Sequence, residues 1–131
     1  MLFRSPVFDW RNGGGYSPLI ISINTSRIIT FALGLSGGLA STQAVALNSW
    51  SRVAFARINN TLRCYIDGNP CGSVSNTTNY TANGFMIGAA NDTPTGYYFG
   101  GYLDEIRITV GSGRGYDGSV KTPPTAPFPN G

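Results

Sequence analysis

The chain is 131 residues long with a net charge of +3, and 41% of it is apolar and 12% aromatic. That is enough for one domain with its own core, and it excludes a disordered chain. No apolar stretch approaches the roughly 20 residues of a membrane-spanning helix. The eight Arg and one Lys are scattered from Arg4 to Lys121 without a basic stripe, so nucleic acid is not expected as a partner, and with no spanning stretch neither is a membrane.

In chain order, no long window places apolar residues at i, i+3, i+4 and i+7 without Gly or Pro interrupting, so the chain reads as all-β. Val7 to Trp10 is a short strand, and Asn12-Gly-Gly-Gly15 is a turn. Pro18 to Asn24 and Arg27 to Leu35 are strands, the second closed by Ser36-Gly-Gly38. Leu39 to Leu47 follows, then Trp50 to Arg57, with Asn59-Asn60 turning the chain into Leu62 to Gly68.

Asp67-Gly68 is a hairpin signal, because a two-residue primed turn needs positive φ at both central positions. Asn76 to Asn83 is polar loop, Gly84 to Gly88 a short buried strand, and Asn91 to Gly96 a turn-rich loop. Tyr97 to Phe99 leads into a last strand, Gly101 to Thr109. Many short strands separated by Gly, Asn and Pro turns mean a sandwich or jelly roll. Residues 1–121 form one β-sandwich domain, and 122–131 a Pro-rich extended arm. The expected core includes Trp50, Phe55, Ile66, Phe85, Ile87, Ile106 and Ile108.

The order Trp50-Ser-Arg-Val-Ala-Phe-Ala-Arg57, Leu62-Arg-Cys-Tyr-Ile-Asp-Gly68, Gly101-Tyr-Leu-Asp-Glu-Ile-Arg-Ile-Thr109 resembles the laminin G-like branch of the concanavalin A-like lectin/glucanase superfamily. Gly113-Arg-Gly-Tyr116 followed by Lys121-Thr-Pro-Pro-Thr-Ala-Pro-Phe-Pro129 is similar to the ending of such modules in bacteriophage and prophage virion proteins. The resemblance implies a concanavalin A-like β-sandwich (jelly roll) that is N-terminally shortened, since the family has further strands before the matched region. Strands missing there leave a ladder edge exposed. A second copy, making a homo-oligomer, or another virion protein is expected to cover it.

Met1-Leu-Phe-Arg-Ser-Pro6 lacks the apolar region of a secretory signal. The expectation is a virion protein made in the host cytoplasm. Charged residues are only 11%, against roughly 25% in an average soluble domain. A surface of Ser, Thr, Asn and Gly suits glycan contact or packing in an assembly. Five Asn-X-Ser/Thr triplets, such as Asn76-Thr-Thr, read as coincidence in a chain rich in Asn and Thr.

Glucanases of the superfamily carry paired acids at alternate positions of one strand. Asp104 and Glu105 are adjacent, so on a strand they point to opposite faces and cannot form that pair. His is absent, which removes the usual base for a Ser or Cys nucleophile. The reading is therefore a non-catalytic protein. Its function is a phage-type virion structural or decoration protein (capsid, tail or fibre) with glycan adhesion, the alternative being a lectin-like carbohydrate-binding module.

Sugar sites combine aromatic faces with amide and carboxylate groups. Asn91, Asp92, Tyr97 and Tyr98 have that composition, as does Trp10. The competing reading puts Tyr97 and Tyr98 alternately into and out of a sheet and Trp10 in the core. Asp104 alternates with Tyr102, Ile106 and Ile108, and so falls on their apolar face. It serves there either as an acceptor for backbone N–H groups or Arg, or as a ligand of the structural calcium that the resemblance allows. No other cofactor is expected. The Asp67-Gly68 turn sets Cys64 opposite Cys71, at a Cα separation of about 5.5 Å that a disulfide can span. They are either two small buried hydrophobes or a short-range bridge.

Overall fold

The computed structural model describes residues 4–11, 18–32, 38–81, 84–90 and 97–128. Among these residues the chain is all β, and no helix is long and apolar enough to cross a membrane. The strands are β1 (Arg4–Arg11), β2 (Pro18–Asn24), β3 (Ile28–Ala32), β4 (Leu39–Ala44), β5 (Val53–Ile58), β6 (Thr61–Ile66), β7 (Asn69–Ser75) and β8 (Met86–Ile87). They form two antiparallel sheets, a five-stranded one in the order β4-β3-β2-β1-β8 and a three-stranded one in the order β5-β6-β7.

The sheets meet face to face, with β4 lying over β6 and β7. Leu19, Ile29, Phe31 and Leu39 from the large sheet interlock with Leu62, Cys64, Ile66 and Cys71 from the small one. Period-2 alternation explains which residues enter this core: Leu62, Cys64 and Ile66 face inward along β6, while Arg63 and Tyr65 face the other way. β2 is apolar almost throughout because it is covered on both sides. Leu19, Ile21 and Ile23 pack on the central core, and Ile20 and Ser22 are buried on the opposite face beside Asp9 and Arg11.

Two primed turns build the small sheet. Asn59 and Asn60 have φ of 48° and 58°, and Asp67 and Gly68 have 51° and 81°. Left-handed backbone of this kind is tolerated best by Asn, Asp and Gly. Asp67 Oδ1 also accepts the Arg52 N–H at 2.7 Å, tying the turn to the entry of β5. Ile66 faces Asn69 and Tyr65 faces Pro70, as the turn dictates. Beyond them the ladder slips, so that Arg63 faces Ser73 and the single residue Cys64 lies opposite both Cys71 and Gly72. This is a β-bulge. Gly72, at φ 142°, sits against the Ala40 carbonyl and the Leu39 side chain of β4, where a Cβ would stand only 3.0 and 3.1 Å away and the backbone disfavours any other residue.

The outer face of the small sheet is covered by the segment following Gly113. Tyr65 is buried although it points away from the central core. Its hydroxyl accepts the Gly118 N–H at 2.7 Å, and its ring meets Tyr116 edge-on at 4.8 Å. Lys121 donates its N–H to the Gly68 carbonyl at 2.8 Å and pairs with Asp117 at 3.2 Å. Asp117 is held well below the ordinary carboxylate range by the Ser119 hydroxyl and N–H and by Lys121. Phe128 lies against two guanidiniums, Arg107 at 4.0 Å and Arg52 at 5.4 Å from its ring centre. Within residues 122 to 128, read from the sequence as part of an extended arm, Phe128 lies in a cationic seat formed by these two arginines.

The main departure from the sequence reading is Gly101 to Thr109. These residues carry a strand's alternation but join no ladder. Glu105 is left-handed at φ 52°, which breaks the extension. Tyr102, Ile106 and Ile108 are exposed rather than buried, as are Phe85 and Ile87 around the short β8. Trp50 is 69% exposed: it precedes β5 and belongs to no strand. Phe55 and Ile66 do pack in the core as expected.

Candidate functional site

A hairpin on the β8 edge of the large sheet carries two adjacent exposed aromatic residues on a defined backbone. Residues 84–90 run out and 97–101 return: Ala90 donates its N–H to Tyr97 O at 2.9 Å, and Phe99 donates to Gly88 O at 2.8 Å. Ala89 and Tyr98 form an antiparallel bridge. The hairpin is fastened to β1 by Gly88 N–H to Val7 O at 3.0 Å and by Gly100 N–H to Ser5 Oγ at 3.0 Å. It presents Tyr98 at 75% exposure and Tyr97 at 39%. Asn91 and Asp92 belong to the connection between its arms and lie outside the described residues.

Trp10 is not next to these tyrosines. Phe8 pairs with Ile87 and Asp9 with Met86, so Trp10 stands level with Phe85, whereas Tyr98 is bridged to Ala89. Four strand positions separate them, about 13 Å at the usual rise. The Trp10 side chain is half-buried against the core, edge-on to Phe8 at 6.4 Å, and Phe8 stacks on Phe85 at 5.2 Å. Composition grouped Trp10 with the tyrosines, and the register separates it from them.

The described carboxylates are each engaged locally. Asp9, fully buried, accepts the Arg11 backbone N–H at 3.0 Å and Nε–H at 2.8 Å, and its second oxygen faces the same guanidinium. Asp67 holds the Arg52 N–H, and Asp117 holds Ser119 and Lys121. Glu105 Oε2 accepts the Phe128 N–H at 2.6 Å.

Asp104 is exposed and accepts the N–H of its neighbour Glu105 at 2.8 Å. The apolar face it was expected to share with Tyr102, Ile106 and Ile108 is itself open to solvent. No group of three or more His, Cys, Asp or Glu side chains converges among the described residues. Calcium takes six to eight oxygens, and among the described residues no group of three or more acidic, Cys or His side chains forms part of such a set. Chemically, the described surface offers aromatic faces and amide dipoles, with its acids already bonded within the chain.

Cys64 and Cys71 face each other inside the core as free thiols, their sulfurs 3.0 Å apart. Burial, followed by the hydrogen bond and charge of Cys71, pushes the Cys64 thiol far up. Burial likewise raises Cys71, partly offset by its hydrogen bond to Cys64. Sequence reasoning missed a second polar knot: Arg57 Nη1 reaches Asn76 Oδ1 at 3.0 Å and the Thr78 carbonyl, and the Tyr80 hydroxyl donates to the same Asn76 oxygen at 2.7 Å. It buries Asn76, one of the Asn-X-Thr positions, and nothing local in sequence signals it.

Comparison with curated proteins and with solved structures gave no match. A family model of laminin G type, described as concanavalin A-like lectin/glucanases superfamily, matches residues 4–110. With that match spanning most of the chain and with two antiparallel sheets packed face to face, the protein belongs to the concanavalin A-like lectin/glucanase superfamily.

Proposed function

We propose that the chain is a non-catalytic adhesion module of the lectin type, with its glycan-facing element at the hairpin carrying Tyr97 and Tyr98. The single observation that carries this is the exposure of both rings on a hairpin fastened to the sheet edge. Aromatic faces stack on the apolar face of a sugar ring, and flanking Asn91 and Asp92 supply groups that bond hydroxyls. The non-catalytic part is supported by the engagement of Asp9, Asp67, Glu105 and Asp117 in bonds within the chain. The test is a glycan array with the wild type, Tyr97→Ala and Tyr98→Ala. Binding that either substitution abolishes supports the reading, and no binding by the wild type refutes it.

A second reading, a virion structural or decoration protein, is favoured by the low charge and by the unpaired apolar segment after Gly101. Both suit a subunit packed among others, and the two readings are compatible in a phage-type adsorption protein. The protein copurifying with particles at fixed stoichiometry supports it; absence from particles refutes it.

A further inference from the structure

Residues 102–110 carry a strand's alternation in sequence, with Tyr102, Asp104, Ile106, Ile108 and Val110 at alternate positions, and Tyr102 is 87% and Val110 90% exposed. Once Glu105 is extended these alternate positions share one face, and exposed apolar side chains grouped this closely point to an interaction site on a folded domain. The segment takes no part in either ladder. An unpaired, β-patterned segment is a template for strand addition.

The sequence of the segment selects the occupant. Aligned antiparallel with a second copy of itself about Ile106, Glu105 falls opposite Arg107 of the other copy and Arg107 opposite Glu105, giving two unlike-charge pairs. Tyr102 falls opposite Val110, joining the two most exposed apolar side chains, and Ile106 meets its own equivalent on the two-fold axis. Asp104 falls opposite Ile108 and Leu103 opposite Thr109, the two pairings of unlike polarity. Centring the pair on Glu105 or on Arg107 instead sets like charges directly opposite, which is destabilising. The charges therefore favour the Ile106 register over both of its neighbours.

We infer that the protein self-associates into a two-fold dimer through residues 102–110, paired antiparallel about Ile106. The contact is isologous and closes on itself, so it yields dimers and not fibres. Pairing requires Glu105 to leave its left-handed conformation for an extended one, which relieves a strained non-glycine position. Glu105 and Arg107 both stand beside Phe128, so docking of 122–128 and dimer formation are coupled through the same two side chains. This inference does not depend on the glycan reading.

The experiment is sedimentation equilibrium of the whole chain across a dilution series, with circular dichroism confirming the fold of each variant. The wild type is expected to dimerise. Glu105→Arg alone or Arg107→Glu alone converts both attractive pairs to repulsive ones and is expected to weaken association by about tenfold or more. The double variant Glu105→Arg/Arg107→Glu restores unlike pairing and returns the wild-type dissociation constant within a few fold. Should a charge variant fail to fold, Val110→Lys, on an almost fully exposed side chain, replaces it and must weaken the dimer. A wild type that stays monomeric, a dimer indifferent to these substitutions, or a double variant as weak as the singles each overturns the inference.

Discussion

The sulfurs of Cys64 and Cys71 stand 3.0 Å apart across the β6–β7 bulge, fully buried and unbonded. Their burial predicts that a thiol reagent modifies neither residue in the native state and both on unfolding, at the unfolding rate. Exchange with oxidised glutathione during refolding should join them. Two thiols and one glutathione disulfide become one intrachain disulfide and two glutathione thiols, read as a loss of two hydrogens by mass. So short a loop should stabilise by only about 2 kcal/mol. Rapid alkylation of the folded protein would contradict the packing.

The same pair predicts an alkaline limit. Both thiols are raised in the fold, so the native state keeps its protons where the unfolded chain has lost them. Stability from this source is complete below the ordinary thiol value of 9.0 and falls as pH rises above it. Denaturant midpoints measured upward from that pH should fall in the wild type and fall less in Cys64→Ala/Cys71→Ala.

Gly68→Ala should destabilise by about 1–3 kcal/mol. A methyl there is strained at φ 81° and collides with the Lys121 carbonyl, whose residue is hydrogen-bonded to Gly68. A urea midpoint equal to that of the wild type would mean that the 113–128 segment does not dock as described.

Tyr65→Phe should cost about 1 kcal/mol, the worth of one hydrogen bond. The ring stays packed on Tyr116, but the Gly118 N–H loses its acceptor. Amide exchange at Gly118 should accelerate while that of the β5–β6 ladder is unchanged.

Local chemistry was readable where it is self-sufficient. Asp67-Gly68 carries its own geometry, and the bounds of β2 follow from Pro18 and from the turn at Asn24, whose side chain accepts the Ser26 and Ile28 N–H groups. The fate of Gly101 to Thr109 was not readable. Alternation says that a segment fits a sheet, but pairing depends on a partner distant in sequence, and the described chain supplies none. The same limit applies to Cys64, where one extra residue at the Cys71–Gly72 bulge is demanded by the approach of β4.

At the candidate site, composition singled out Tyr97 and Tyr98 for sugar stacking but left open whether they alternate into and out of a sheet. The distance of Trp10 from them required the β1–β8 register. The buried Tyr65 and the clasped Phe128 depend on a segment more than fifty residues further on, or on two arginines far apart in the chain, so neither could be read locally.

The cover that Tyr116 and Gly118 place over Tyr65 has a consequence for biosynthesis. During translation, the hairpins of the small sheet emerge well before the residues that roof them, so Tyr65 waits bare and sticky until Tyr116 and Gly118 have left the ribosome. Maturation of this half of the molecule is thus timed by residues made some way after β6, and a nascent chain stalled between the two is the species most in need of a chaperone.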